Sequence, residues 1–177
     1  MVLETLYFFV PAYLANMAPV VVRGHFEFLA RPIDGGRSFR GKRILGDHKT
    51  WRGIVAGVVV AIAVFAAQVA LYEAGFLRSL ALLDYAQAGS LLGILLGLGT
   101  GVGDAVKSFF KRQCGIAPGA TWMGFDQLDF LVGAWLFVAP VYAPPVLATI
   151  AIAPIVFAGS IASTAIGYWL GLKEAWI

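Results

Sequence analysis

Charge is scarce in this sequence. Asp, Glu, Lys and Arg supply 13% of the 177 residues, about half of what a soluble domain carries. Hydrophobic residues reach 60%. That is more than one globular core can hide, so the surplus must face lipid. Cysteine occurs once, at Cys114, which excludes an intrachain disulfide and leaves a free thiol. The two histidines, His25 and His48, stand apart without zinc-ligand spacing and read as non-catalytic. The order GxxxxGK(S/T) is missing, which excludes a P-loop. The first residues show neither a basic n-region nor a small-residue cleavage site, so the first apolar stretch reads as a retained helix. No soluble domain and no fixed-period repeat stands out, and residues 1–177 read as one transmembrane unit.

What is present is a series of apolar runs. A spanning helix needs about 20 apolar residues at 1.5 Å rise each. Five runs qualify: residues 3–22, 54–72, 88–103, 126–142 and 146–170. The expected fold is an all-α integral membrane protein with five transmembrane helices and two polar loops on one side. The first run contains Pro11 and Pro19, which membrane helices tolerate where neighbours satisfy the freed carbonyls. The third carries Gly89, Gly93, Gly97 and Gly101, a stripe of small residues that lets a neighbouring helix come close.

Basic residues set the orientation. Residues 23–52 hold Arg23, Arg31, Arg37, Arg40, Lys42, Arg43, Lys49 and Arg52, and the loop between the third and fourth runs holds Lys107, Lys111 and Arg112. With five spans these loops and Lys173 fall on one side, which collects twelve of the thirteen basic residues and leaves Arg78 on the other. The N-terminus is therefore expected outside and the C-terminus in the cytoplasm, in a multi-pass protein of the cell membrane.

The densest polar stretch runs from Gly103 to Asp129. If the third helix continues past the membrane, Asp104, Lys107, Ser108 and Lys111 share a face at i, i+3, i+4 and i+7. Asp126 and Asp129 share a face at the start of the fourth helix, and the intervening glycines and Pro118 allow a turn that joins the two helix ends. Three carboxylates beside phosphate-binding cations suit a Mg²⁺–nucleotide site. A plainer reading stands beside it: Asp126 as a helix N-cap, Asp129 at the third helical position favouring the dipole, and surface ion pairs for Asp104. The concentration of charge in a chain otherwise nearly free of it favours function, because carboxylates near a bilayer are costly. In the first loop, Lys42, Lys49, Thr50 and Arg52 suit phosphate contacts, while attraction to anionic headgroups explains basic loops generally. Asn16 is the main polar side chain of the first run, as an interhelical hydrogen bond or as lining of a reaction cavity.

The stretch GDAVKSFFKRQCGIAPGATWMGFDQLD, together with KTWRG in the first loop, resembles the signature of the CTP-dependent lipid cytidylyltransferases. The resemblance is closest to their archaeal branch, the CDP-archaeol synthases, and covers most of the chain. More distant bacterial members share G-D-x3-S-x2-K-R followed by D-R-x-D. Gln127 stands here where those have arginine. The resemblance implies transfer of the CMP moiety of CTP to an unsaturated archaeal ether-lipid phosphate, giving CDP-archaeol and pyrophosphate with Mg²⁺ as cofactor. It implies that Asp104, Asp126 and Asp129 hold the metal. Lys107, Lys111 and Arg112 would neutralise phosphate charge, Ser108 would donate to phosphate or a metal-bound water, and Lys42, Lys49, Thr50 and Arg52 would close the site. The partners implied are CTP, an isoprenoid ether-lipid phosphate and membrane lipids, with no nucleic acid; the oligomeric state stays open. A CDP-alcohol phosphotransferase is the nearest rival, but its D-G-x2-A-R motif is missing. A small transporter or lipid-binding scaffold predicts charges inside the spans, which these spans nearly lack.

Overall fold

A computed structural model describes residues 1–117, 120–169 and 171. Lys173, the Pro118–Gly119 turn and the last residue of the fifth expected span lie outside the described residues. The molecule is helical: α1 (Val2–Phe8), α2 (Val10–Val21), α3 (Trp51–Glu73), α4 (Leu91–Gln113), α5 (Phe125–Val138) and α6 (Val146–Trp169). A two-residue-per-strand hairpin, β1 (Ser38–Phe39) and β2 (Lys42–Arg43), decorates the first loop. Its connection, Arg40 and Gly41, has φ of 51° and 76°, the paired left-handed conformation of a tight hairpin turn.

Among the described residues, α3, α4 and α6 are long and apolar enough to cross a membrane. The first expected span is not one continuous helix. It breaks at Phe9, because Pro11 has no N–H to give to the carbonyl of Tyr7. Gln68 of α3 donates to that carbonyl at 2.6 Å, beside a backbone N–H at the cap of α1. This cross-helix bond satisfies a backbone group that lipid could not. Pro19 frees the carbonyl of Ala15 in the same way, and Gly57 of α3 comes up against it, where a Cβ would lie 3.2 Å away. The fourth expected span is also shorter than its apolar run: α5 has 14 residues.

α4 is the hub. One glycine row, Gly93 and Gly97, faces α3, where a Cβ on Gly97 would lie 2.7 Å from the Cα of Val58. Gly101 meets only the flexible side chain of Ile54, and Gly89 faces open space. A second row, Gly99 and Gly103, faces Gly133 of α5 at closer range still. Phe8, Phe65, Tyr85, Leu96, Phe130 and Ile152 fill the core between the helices. Val59, Val132, Leu136, Leu147, Ile150 and Ile166 are exposed, as expected of faces that lipid covers.

Side-chain contacts show which loops share an end. Lys49 pairs with Asp104, and Lys42 donates to the carbonyl of Gln113 at 2.6 Å, so the first basic loop meets the C-terminal half of α4. At the opposite end the Tyr142 hydroxyl donates to the Leu82 carbonyl at 3.0 Å, joining the loops before α4 and after α5.

Candidate active site

α4 runs unbroken to Gln113, ten residues beyond the end expected from hydropathy. Asp104, Lys107, Ser108 and Lys111 therefore do share one helical face. α5 begins at Phe125, and its N-cap is Gly124 rather than Asp126. Gly124 has φ of +87°, a conformation that a side chain rarely adopts. Asp126 is thus inside the first turn, where its Oδ2 accepts the Trp122 amide at 2.5 Å. Asp129 falls at the fifth helical position, beyond the capping turn.

The close α4–α5 crossing brings the two acidic groups together. Lys107 Nζ lies 3.0 Å from Asp104 Oδ1, 2.8 Å from Asp126 Oδ1 and 3.0 Å from Asp129 Oδ2. Lys111 Nζ reaches both oxygens of Asp126, at 3.2 and 2.9 Å. Lys49 comes from the first loop to Asp104 Oδ2. Three carboxylates and three ammonium groups thus form one cluster with no net charge. Such pairing is what keeps buried charges tolerable. Asp129 is the most enclosed, its side chain 5% exposed. Its Oδ2 is near Lys107 but off the hydrogen-bonding direction, so this buried oxygen has no aligned donor.

A cavity of about 780 Å³ opens onto this cluster. Asp104, Asp126, Lys49, Thr50 and Arg52 line its polar end, and it continues between α2, α3, α4 and α6 past Asn16, Gly57, Gly97 and Ser160. Lys107, Lys111 and Asp129 are not part of the lining and stand behind Asp104 and Asp126. Thr50 serves also as N-cap of α3, its hydroxyl accepting the Gly53 amide at 3.3 Å. Arg52 is held by Glu27 at 2.7 Å and by the His25 carbonyl at 2.9 Å. Three further expected site residues lie off the cavity and outside the cluster: Lys42 on the Gln113 carbonyl, Arg112 on the Ala117 carbonyl at 3.1 Å, and Ser108, which is buried. Asn16 lines the cavity, and among the described residues its amide has no partner.

Sequence reasoning passed over several residues of this site. Thr121, Gln127 and His48 line the cavity. Asp34 lies outside it but organises the first loop. Its side chain, 1% exposed, accepts the amides of Gly36 (3.0 Å), Leu45 (2.9 Å) and Gly46 (3.2 Å) and the guanidinium of Arg43 (3.0 Å). Burial alone would raise the Asp34 pKa; the Leu45 amide, the Arg43 guanidinium and the other two amides outweigh it and hold the carboxyl well below its ordinary range. Next to it, the Ile33 amide donates to the Lys49 carbonyl at 2.8 Å, and the Trp51 amide to the Arg31 carbonyl at 3.1 Å. These bonds fix the stretch that carries Lys49 to Asp104. A lone aspartate in a glycine-rich loop has no periodicity to mark it; the nearest signal is its position before Gly35-Gly36.

A family model described as CarS-like, CDP-archaeol synthase, matches residues 1–177. CDP-archaeol synthase of Pyrococcus furiosus is 36% identical over 163 residues, which cover 90% of each chain. That of Methanosarcina mazei is 38% identical over 186 residues, covering 94% of this chain and 99% of the relative. A solved structure, described as that of an intramembrane enzyme for archaeal membrane lipids biosynthesis, superposes with a TM-score of 0.71 at 32% identity over 92% of this chain and 94% of the other.

Proposed function

The chain belongs to the CarS-like CDP-archaeol synthase family, and from this premise we propose how its cavity joins CTP to an archaeal lipid phosphate. It is a lipid cytidylyltransferase, and its product is CDP-archaeol. The observation that carries the mechanism is the single cavity with the charged cluster at one end and membrane helices along its side. The polar end takes the triphosphate; the helix-lined part takes the lipid, with Asn16 beside its polar head.

The lipid phosphate is largely ionised near neutral pH, with a second pKa of about 6, so the attacking oxygen needs no strong base. It forms the bond to the α-phosphorus of CTP as the bond to the β-phosphate breaks and pyrophosphate leaves. The difficulty is to bring two polyanions together, which positioned cations solve. Lys49 and Arg52 face the cavity and act on phosphate directly. Lys107 and Lys111 stand behind the carboxylates and hold Asp104 and Asp126 in place.

Mg²⁺ is the cofactor the family implies. Among the described residues no three acidic, histidine or cysteine side chains are grouped to hold an ion as they stand, because the Lys107 ammonium occupies the point on which Asp104, Asp126 and Asp129 converge. The chemistry of the donor set nevertheless fits: hard carboxylate oxygens, one of them a buried oxygen without an aligned donor. These three residues would hold the ion, which would supply positive charge to the triphosphate.

Five crossings account for the loops best, with α1 and α2 as one interrupted span, α5 as a short one and the N-terminus outside. The two ends defined by the Lys49–Asp104 and Tyr142–Leu82 contacts support this topology. The reaction is tested by pyrophosphate release from purified protein in detergent, with Mg²⁺, each of CTP, UTP and ATP, and an isoprenoid ether-lipid phosphate. Release that requires both CTP and lipid is expected. Consumption of CDP-lipid with a polar alcohol, without pyrophosphate, would instead indicate a phosphotransferase.

A further inference from the structure

Gln127 lines the same cavity as Asp126 and the loop residue Thr121, and it is 7% exposed. Its Oε1 accepts the amide of Gly124 at 2.6 Å, closing the first turn of α5. This bond fixes which way the side-chain amide points. A backbone N–H can only donate, so the atom it meets must be the carbonyl oxygen, and the other end must be the NH₂. That Nε2 has no partner among the described residues. The residue is 7% exposed and is part of the cavity lining, so a donor it leaves open is available to what the cavity holds.

The kind of acceptor follows from the surroundings. An amide NH₂ cannot ligate a cation, and the lining beside it offers Lys49 and Arg52, which gather anions. The two neighbours along the chain that could compete for it, Asp126 and Asp129, are already committed to Lys107 and Lys111. An ammonium or guanidinium at this position would be drawn onto those carboxylates. A neutral donor whose carbonyl is already engaged stays available to the substrate. We propose that Gln127, besides capping α5, donates through Nε2 to a phosphate oxygen of the bound substrates, a role that rests on the cytidylyltransferase reading of the cavity.

Gln127→Glu is the discriminating variant. One carboxylate oxygen still accepts from Gly124, so the cap and the thermal midpoint are retained, while the other turns a donor into a charged acceptor. Gln127→Met keeps the volume, offers no donor, and serves if the glutamate variant does not fold. Losing a hydrogen bond to a charged group should raise a Michaelis constant, or lower kcat, by about tenfold to a hundredfold in the methionine variant, and by more in the glutamate variant. A rise for CTP alone assigns the bond to nucleotide phosphate, and a rise for lipid alone to lipid phosphate. A fall in kcat alone assigns it to an oxygen whose charge grows in the transition state. Unchanged constants in both variants, or a fall in thermal midpoint without a kinetic change, would overturn the proposal. So would collapse of the preference for CTP over UTP with phosphate affinity kept, since the amide would then read the base. Wild-type protein that releases no pyrophosphate would fail the cytidylyltransferase reading itself, a result distinct from any of these.

Discussion

Gly133→Ala tests whether the α4–α5 crossing sets the geometry of the charged cluster. A Cβ at Gly133 would lie 2.2 Å from the Gly99 carbonyl oxygen, 2.8 Å from the Gly103 Cα and 2.9 Å from the Gly103 nitrogen. All three are backbone atoms, so no side chain can swing aside. Ordinary contact begins near 3.4 Å, so the two helices must part by about 1 Å. Lys107 bridges that gap, at 2.8 Å from Asp126 and 3.0 Å from Asp129. A separation of about 1 Å puts both contacts outside hydrogen-bonding range. Overpacking of this kind costs about 1–3 kcal/mol, and a misplacement of about 1 Å costs roughly a hundredfold in rate. Pyrophosphate release measured beside the thermal midpoint in detergent should therefore show a large loss of kcat with a modest loss of stability. Gly89→Ala is the control, because Gly89 lies off the cavity and its Cβ would meet nothing within 4 Å, and it should stay near wild type. Gly133→Ala retaining more than half of the wild-type kcat would refute the crossing as the determinant of the site.

Asp104→Asn should abolish turnover in a protein that still extracts and folds; turnover near the wild-type rate would remove its assignment as a metal ligand. Lys49→Ala should raise the Michaelis constant for CTP with little change in thermal midpoint, whereas Lys107→Ala should lower the midpoint because it leaves three carboxylates facing one another. The reverse pattern would exchange the two roles. Asp34 has a depressed pKa in the folded state, so the stability it contributes is present above its unfolded pKa of about 3.9 and drains away as pH falls towards the lower folded value. The gap in thermal midpoint between wild type and Asp34→Asn should accordingly be full at pH 6 and narrow at pH 3, and a gap independent of pH would count against the ionised loop anchor.

Hydropathy located every helix but not its ends. Interruption of the first span at Phe9 was encoded in Pro11, yet a proline inside an apolar run is read as a break only when the partner of the freed carbonyl is known. That partner, Gln68, is sixty-one residues away in sequence. The extension of α4 to Gln113 was legible in the i, i+3, i+4, i+7 spacing of its charges, where an apolar scale sees only polar residues. The glycines show a different limit. Gly93, Gly97 and Gly101 form one row and Gly99 and Gly103 another, and a sequence with both rows interleaved does not say which neighbour each row meets. The tighter row is the one that spacing did not single out, because its counterpart, Gly133, lies on another helix. Of the residues expected at the site, Asp104, Lys107, Lys111, Asp126 and Asp129 meet where α4 crosses α5, and Lys49 reaches them from the first loop. Lys42 of β2 and Arg112 in the last turn of α4 instead brace backbone carbonyls, since the position of the backbone rather than residue type decides where a long cation ends.

Charge balance gives the site its selectivity among its own lysines. Asp104, Asp126 and Asp129 match Lys49, Lys107 and Lys111 in number, so an arriving triphosphate finds no free ammonium in the cluster and must compete for one already paired. Lys107 touches three carboxylates and Lys111 reaches both oxygens of Asp126; drawing either away would leave like charges within a few ångströms at a reduced dielectric, at a cost of several kcal/mol. Lys49 touches a single carboxylate, faces the cavity, and sits on a loop. It alone can change partners cheaply, and the carboxylate it releases, Asp104, still has Lys107. In the proposed mechanism, capture of the nucleotide would therefore depend on the first loop, and the precision with which Asp34 folds that loop would become part of the affinity for CTP.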